Sequence, residues 1–350
     1  MSLAGSSLAE EFPLESSRSF AVPLTDLSHV GEARRLAMGQ ATRARLSQSE
    51  SSNLGIVVTE TASNAVRHAT GGQVIFRTIR NEGRTGVEML CLDRGPGIAN
   101  VTESLRDGHS TAGSMGTGLG AANRLASTFE VFSVVGQGTV VLARVWGGSG
   151  KAPAGPLVTA VCLPIRGETE CGDGWAAESW GARTIILAVD GLGHGVNASD
   201  AAKEAVRIFR ENARRSPTDI LDLLHRGLRS TRGAAAAVAE VDLGRRMVRY
   251  AGLGNIAGWV VNDDSMRAMV SHSGIVGHQV RKIQAFEYPL PQGGVIILHS
   301  DGLSSKWKAS SYPGLLRRDS ALLAGALFRD FARDRDDASV VIYRPPDSMQ

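Results

Sequence analysis

A ten-residue run of small residues and prolines divides the chain into two segments. Positions 147–156 read GGSGKAPAGP, a composition typical of a linker between domains. The flanking segments, 21–146 and 157–345, are each long enough to form a hydrophobic core. We therefore expect two domains. A flexible tail at 1–20 is expected before them, because this stretch lacks the basic start and apolar core of a signal peptide.

The composition excludes several classes of protein. Hydrophobic residues make up 43% of the 350 positions and charged residues 21%, which is ordinary for a folded soluble protein. The formal net charge of +3 is too small to indicate a nucleic-acid-binding protein. No apolar run approaches the ~20 residues that span a bilayer, and the three cysteines lack zinc-site spacing. We expect a cytoplasmic protein that binds neither nucleic acid nor membranes.

The two segments differ in their hydrophobic periodicity. The first shows helical spacing at 27–46 and 50–69, followed by strand-like runs at 73–80, 87–92, 129–134 and 139–145. In the second, strand-like runs outnumber helical ones; the strands are expected at 158–164, 184–189, 235–241, 247–251, 256–261, 295–298 and 340–343, and the helices at 200–215, 218–229 and 320–333. The patterns predict a two-domain α+β protein, with helices on one face of a sheet and then a β-sandwich flanked by helices.

A carboxylate and an amide share one face of the second expected helix. Glu60 and Asn64 are four residues apart, so both side chains lie on the same side. Such a pair is suited to holding a hydrated magnesium ion and activating a hydroxyl group. The same spacing is also typical of a solvated helix surface.

Two glycine-rich stretches follow. Asp93 ends a strand-like run, where its carboxylate can accept a hydrogen bond from an exocyclic amine, and Gly95 and Gly97 let a flat base approach the backbone. The second stretch opens a helix, whose free N–H groups can receive phosphates; it comprises Gly116, Thr117, Gly118, Leu119 and Gly120. Taken singly, the glycine pattern is equally compatible with an ordinary loop, and the stretch after Asp93 is typical of a simple turn.

In this order, ETASNAVRHA at 60–69, DRGPG at 93–97 and GTGLG at 116–120 resemble the GHKL ATP-binding fold over 20–146. The sequences at 93–98, 105–111 and 118–125 further resemble the RsbT/RsbW branch of serine-protein kinases. The resemblance implies that Glu60 is a general base toward a protein serine and that Asn64 binds Mg²⁺ with ATP. It also implies that Asp93 reads adenine, while the glycines, Thr117 and Leu119 shape the nucleotide pocket.

Four acidic residues of the second segment end strands or lie in turns, and three of them adjoin glycine: Asp173, Asp190, Asp301 and Asp336. Each one alone is typical of a simple turn. If they converge, however, their mutual repulsion must be neutralised by cations, and hard divalent metals with oxygen ligands meet that need. Two metals bridged by carboxylate and water produce a hydroxide nucleophile suited to phosphate-ester hydrolysis.

The motif DGLGHG at 190–195, with TRGA at 231–234 and AGLGN at 251–255, resembles PPM-type serine/threonine phosphatases of the SpoIIE/RsbX branch. The resemblance implies an α-β-β-α sandwich in which the four aspartates and the Gly191 carbonyl bind two Mn²⁺ or Mg²⁺ ions. It favours Asp336 over Asp337 as the ligand. His194 is either a proton donor or a hydrogen-bonding support. The arginine that binds substrate phosphate in eukaryotic relatives has no identifiable position.

The two resemblances together imply a bifunctional switch. One domain would phosphorylate a serine of a STAS-domain partner of the stressosome or anti-sigma-antagonist type with ATP, and the other would remove that phosphate at a two-metal site. As an alternative, the chain is an anti-sigma factor that sequesters a sigma factor, with the two activities controlling its release. A third hypothesis is that one domain is degenerate and serves only as a scaffold. A homodimer is compatible with the sequence in each case.

Overall fold

The computed structural model describes residues 18–69, 71–106 and 118–346. The first half of the chain consists of β1 (Phe20–Leu24), α1 (Ser28–Arg43), α2 (Gln48–His68), β2 (Gly72–Asn81), β3 (Arg84–Asp93), α3 (Val101–Ser104), α4 (Gly118–Leu125), β4 (Thr128–Val134) and β5 (Gly138–Trp146). Strand β1 begins at the last residue of the expected tail. The kinase-like stretch at 107–111 and the expected pocket residues Gly116 and Thr117 lie outside the described residues.

The second half is dominated by strands. It consists of β6 (Val158–Leu163), β7 (Asp173–Trp180), β8 (Arg183–Gly191), α5 (Val196–Asn212), α6 (Pro217–Gly227), β9 (Ala234–Asp242), β10 (Met247–Leu253), β11 (Ala257–Val261), β12 (Met266–Met269), β13 (Gly274–Ile275), β14 (Gln279–Val280), β15 (Phe286–Pro289), β16 (Val295–His299), α7 (Ser320–Phe331) and β17 (Ala338–Tyr343). The expected α+β class is therefore confirmed.

Three five-stranded sheets organise these elements. Sheet I has the strand order β1-β2-β3-β5-β4, sheet II has β12-β11-β16-β17-β6, and sheet III has β15-β10-β9-β8-β7. All strand pairs within the three sheets are antiparallel. Sheets II and III pack face to face through one buried cluster, and α5 and α6 cover the outer face of sheet III through another.

Sheet I is buried on both faces, and strand β3 shows how its sequence achieves this. Side chains alternate between the two faces of a strand. Met89 and Cys91 point into the core beneath α1 and α2, whereas Leu90 and Leu92 point into a second core on the opposite face. Strand β3 therefore reads as a nearly continuous apolar run, which is expected of a strand covered on both sides.

Helix α7 covers that second face of sheet I and also packs against sheet II. Every residue from Ser320 to Arg329 is buried, so the helix presents no solvated face. A Cβ on Gly325 would lie 3.0 Å from Leu92 and 3.1 Å from Val140, which shows how closely α7 approaches sheet I. One apolar cluster thus contains residues from both halves of the chain.

A buried charge network lies beside this junction. Glu88 forms ion pairs with Arg77 and Arg144, each with a shortest N–O distance of 2.7 Å, and Arg144 also pairs with Asp319 just before α7. Arg77 Nη2 donates to Thr159 Oγ1 of β6 at 2.7 Å. Burial alone would raise the pKa of Glu88, but the two arginines hold it below its ordinary value. The network therefore joins the two halves by charge as well as by apolar packing.

The glycine- and proline-rich connection at 147–156 forms several hydrogen bonds with the hairpin between β2 and β3. Arg84 donates hydrogen bonds to the carbonyls of Gly147, Gly148 and Lys151, and Asn81 donates to the carbonyl of Ala154. The domain boundaries on either side of 147–156 stay a prediction. Among the described residues, none of the helices combines the length and apolarity needed to cross a membrane.

We predict that Glu88→Gln lowers the free energy of unfolding by about 3–5 kcal/mol at pH 7, because it leaves two buried guanidinium groups incompletely neutralised. The pKa of Glu88 is lowered in the folded state, so its stabilising effect is present above the ordinary value of 4.5 and is lost as pH falls below it. Urea unfolding at pH 7 and pH 4 measures both effects. Glu240→Gln is the control, because its partner Arg183 is half exposed and the pair contributes at most about 1 kcal/mol. Equal losses in the two variants would contradict the prediction.

Candidate functional site

The first candidate site lies on the polar side of α2. A capping box formed by Ser47 and Glu50 starts this helix, and its apolar stripe faces sheet I. The opposite side leaves Glu60 and Asn64 half-buried and one helical turn apart. The local sequence therefore places both polar groups where a ligand can reach them.

The first residue of α4 lies directly against this pair. A Cβ on Gly118 would lie 2.8 Å from Glu60 Oε2 and 3.7 Å from Asn64 Nδ2. A larger residue at 118 would displace the Glu60 carboxylate. Leu119 and Gly120 complete the first turn of α4, so the N–H groups that begin this helix lie beside the Glu60–Asn64 pair.

Asp93 closes the same region from the end of β3. Gly95 N–H donates to Asp93 Oδ1 at 2.8 Å, and a Cβ on Gly95 would lie 3.0 Å from Ala69 Cβ, just past the end of α2. Gly97 adopts a φ of +75°, and a Cβ there would approach the Val134 carbonyl oxygen to 2.4 Å. Burial raises the pKa of Asp93, against the opposing effect of its hydrogen bonds.

The second candidate site begins with two carboxylates on adjacent strands. Asp173 of β7 and Asp190 of β8 are direct register partners, so their side chains lie on the same face of sheet III. Asp173 is 5% exposed, and its Oδ2 accepts a hydrogen bond from Ser300 Oγ at 2.5 Å. Its Oδ1 is buried without a hydrogen-bond partner among the described residues. That oxygen is suitably placed to bind a cation.

Asp301 and Asp336 approach from sheet II. Asp301 follows β16, and its Oδ2 accepts a hydrogen bond from Asn255 Nδ2 at 2.6 Å. Asp336 precedes β17, and its Oδ1 accepts from the N–H of Asp337 at 2.9 Å. Both line an open cavity of about 510 Å³. The junction between sheets II and III thus brings together acids from four separate parts of the sequence.

Electrostatic coupling shows that these carboxylates act on one another. Burial, and then the negative charges of Asp173, Asp301 and Asp336, raise the pKa of Asp190 to about 9. Burial is also the main cause that raises the pKa of Asp173 to about 7. Each charged carboxylate therefore makes the next one harder to ionise, and a bound cation would reverse this effect.

The donor chemistry of these residues fits a divalent cation. Carboxylate and carbonyl oxygens are the ligands that Mg²⁺ and Mn²⁺ accept, and Mg²⁺ keeps several waters while binding one or two carboxylates. Within 18–69, 71–106 and 118–346, no three or more His, Cys, Asp or Glu side chains are already arranged to hold one ion. The unpartnered Asp173 Oδ1 and the raised pKa of Asp190 nevertheless favour a cation, with water completing its ligand shell.

Glycine fixes the backbone that follows Asp190. A Cβ on Gly191 would lie 2.2 Å from the Ala198 carbonyl oxygen, so no side chain fits there. The Gly191 N–H donates to the Gly172 carbonyl at 2.9 Å, which ties the two acid-bearing strand ends together. His194, the candidate proton donor or support, is exposed, and its Nδ1 lies 3.1 Å from Glu168 Oε1.

Sequence reasoning missed two residues that organise this site. Asp337 is buried and accepts hydrogen bonds from the N–H groups of Ile165 and Gly172, at 2.7 and 2.6 Å, so it braces the loop before Asp173. Ser300 joins Asp173 to β17 through the N–H of Ser339 at 3.0 Å. In the sequence, Asp337 and Ser300 are marked only by their positions next to Asp336 and Asp301. The sequence does not show which strands they contact.

Comparison with known proteins gives separate matches for the two halves of the chain. Residues 24–145 match the sequence profile of the histidine kinase-like ATPase domain, and residues 181–344 match that of stage II sporulation protein E (SpoIIE). The serine/threonine-protein kinase RsbT of Bacillus subtilis (strain 168) is 32% identical over 114 residues, which are 33% of this chain and 80% of RsbT. The phosphoserine phosphatase RsbX of the same strain is 22% identical over 144 residues, 41% of this chain and 72% of RsbX.

A solved structure resembles about half of the chain. It is described as "The bacterial stressosome: a modular system that has been adapted to control secondary messenger signaling". The match is 25% identical with a TM-score of 0.49, and it covers 53% of this chain and 98% of the other.

We predict that Asp190→Asn raises Tm in metal-free protein at pH 7, by about 2–4 °C for each kcal/mol of stability that the Asp190 carboxyl costs the folded state. The pKa of Asp190 is raised in the folded state, so this carboxyl costs more stability as pH rises from its ordinary value toward 9. Excess Mn²⁺ should raise the Tm of the unmodified chain and have little effect on the variant. Thermal unfolding followed by circular dichroism tests both statements. A lower Tm of the metal-free variant would contradict the assigned repulsion.

Proposed function

Because the chain belongs to the RsbT family of histidine kinase-like ATPases and fuses this domain to a SpoIIE-type phosphatase domain, we propose that it is a bifunctional regulatory switch. Its GHKL-like half phosphorylates a serine of a STAS-domain partner with ATP. Its PPM-like half removes the phosphate from that serine. One observation carries the proposal: a kinase-like ATPase domain and a SpoIIE-type phosphatase domain match on one chain.

In the first half, Glu60 acts as the general base. The serine hydroxyl of the partner loses its proton to the Glu60 carboxylate as its oxygen attacks phosphorus. ATP bound with Mg²⁺ would supply the γ-phosphoryl group, whose bond to the β-phosphate oxygen breaks as the serine oxygen attacks, so that ADP leaves and the metal offsets the charge of the phosphates. Asn64 offers a side-chain oxygen to the magnesium ion. Asp93 accepts a hydrogen bond from the adenine amine, and the first turn of α4, beside Glu60, directs N–H groups toward the phosphates.

In the second half, the carboxylates would hold two divalent ions. Asp173, Asp190, Asp301 and Asp336 are the proposed ligands, with the Gly191 carbonyl as an additional oxygen donor. When bound, Mn²⁺ or Mg²⁺ supplies a hydroxide nucleophile at neutral pH. Ser300 holds one oxygen of Asp173 by a hydrogen bond, so the other oxygen would be the one left to bind an ion.

We predict that Glu60→Ala lowers the rate of phosphoserine formation about 10²–10⁴-fold, because the serine hydroxyl loses its proton acceptor. Nucleotide binding should persist, since Asp93 and the glycines are intact. The assay uses the purified full chain, a STAS-domain protein, ATP and Mg²⁺, with phosphoserine detected by mass spectrometry. Glu32→Ala on the exposed side of α1 is the matched control. If the Glu60 variant transferred phosphate at the normal rate, the assignment of the base would be wrong.

We predict that Asp190→Asn abolishes dephosphorylation and leaves kinase activity intact, because it removes one proposed metal ligand from a separate site. The phosphorylated STAS protein is incubated with each variant and Mn²⁺ in the absence of ATP, and release of inorganic phosphate is measured. Glu60→Ala serves here as the reciprocal control and should hydrolyse normally. Loss of both activities in one variant would refute two independent sites. Failure of the unmodified chain in both assays would refute the proposed function.

A further inference from the structure

The cavity beside the second site has charged groups of both signs along one wall. The wall is the connection between α7 and β17, and it faces Asp301 at the end of β16. The cavity of about 510 Å³ is lined by Asp301, Ala332, Arg333, Asp334, Arg335 and Asp336. Two arginines of this wall therefore line the same cavity as Asp301 and Asp336, two of the carboxylates proposed to bind metal.

Arg333 is held in place by the loop that carries Asp301. Its N–H donates to the Gly302 carbonyl at 2.8 Å, and its Nη1 donates to the Asp301 carbonyl at 3.1 Å. A β-bridge between Leu303 and Ala332 fixes the backbone next to it. These contacts hold the Arg333 guanidinium at the edge of the carboxylate cluster, whereas Arg335 makes no comparable contact within the described part of the chain.

The guanidinium of Arg333 retains unused hydrogen-bonding capacity. An arginine carries five N–H donors in a planar fork, and the single side-chain bond to the Asp301 carbonyl occupies one of them. Within the described residues Arg333 forms no ion pair, although Arg329, one turn earlier, pairs with Asp330 at 2.7 Å. Arg333 is also exposed, so an anion entering the cavity can reach it.

Charge balance gives this arginine a role. Four ionised carboxylates and two divalent cations cancel, so the loaded site would carry no surplus positive charge for a phosphate dianion. A fixed guanidinium at its edge supplies that charge and matches the phosphate oxygens in a two-pronged hydrogen-bonding geometry.

We propose that Arg333 binds the phosphate of the phosphoserine substrate. The inference rests on the proposed phosphatase function and adds a substrate-binding residue to it. Arg333 acts on the phosphate oxygens that do not coordinate the metal ions. It therefore strengthens binding of substrate and of the product phosphate, and it takes no part in forming the nucleophile.

The test compares Arg333→Ala, Arg333→Lys and Arg335→Ala with the unmodified full chain loaded with Mn²⁺. Calorimetric titration gives the Kd for inorganic phosphate and for Mn²⁺, and hydrolysis of a phosphoserine peptide gives KM and kcat. We expect Arg333→Ala to raise the phosphate Kd and the peptide KM about tenfold or more, as loss of a charge-assisted hydrogen bond predicts. The Mn²⁺ affinity and kcat should stay close to their original values.

The conservative variant and the neighbouring arginine sharpen the result. Arg333→Lys should recover part of the phosphate affinity, because it restores the charge without the fork. Arg335→Ala should bind phosphate nearly normally, and Arg245→Ala, an exposed arginine in the β9–β10 hairpin, controls for a general change in charge.

Two results would overturn the proposal. Unchanged phosphate Kd and KM in Arg333→Ala would show that the side chain does not contact the substrate. Weakened Mn²⁺ binding, with normal phosphate affinity at saturating Mn²⁺, would show that Arg333 only braces the Asp301 loop. If the unmodified chain hydrolyses no phosphopeptide, the proposed function fails instead, and the phosphate titration still tests Arg333.

Discussion

Helix α7 is the element on which the rest of the architecture depends, because it is buried between sheets that belong to different halves of the chain. Its residues contribute to one apolar cluster with Leu90 and Leu92 on one side and with Ile297 and Ile342 on the other. A helix that is apolar all round has to be enclosed. Removing either half would expose one side of α7 to water, so the core of each half depends on the other.

The C-terminal end of α7 also connects the two candidate sites. Arg329 Nη1 lies 3.4 Å from the Asp93 carbonyl oxygen, and the Arg94 side chain donates to the Arg329 carbonyl. Four residues after Arg329, Arg333 holds the Asp301 carbonyl. The residue expected to read adenine and a residue expected to bind metal are therefore positioned by neighbouring turns of one segment. Both sites depend on the same packing.

Much of this fold could be predicted from periodicity alone. The helix expected at 50–69 is found at Gln48–His68, and the strands expected at 235–241 and 247–251 are β9 and β10, which pair antiparallel. Strand β7 was not predicted because its apolar residues do not alternate. Strand β1 was not predicted because it begins where a tail was expected. The covering of sheet I by α7 could not be predicted, since a helix without a polar face gives no indication of its partners. The roles of Ser300 and Asp337 could not be predicted for a similar reason, because they arise from contacts between distant strands.

The enclosure of α7 also restricts how such a chain can change during evolution. A side chain introduced at Gly325 must fit against Leu92 and Val140 in one half, while the same helix keeps its packing against the other half. Replacing either half with a homologous segment would bring a surface whose fit to this helix has never been under selection. We therefore expect substitutions on the two sides of α7 to be correlated, and we expect the two halves to be inherited as one unit, unlike modules joined by a flexible linker.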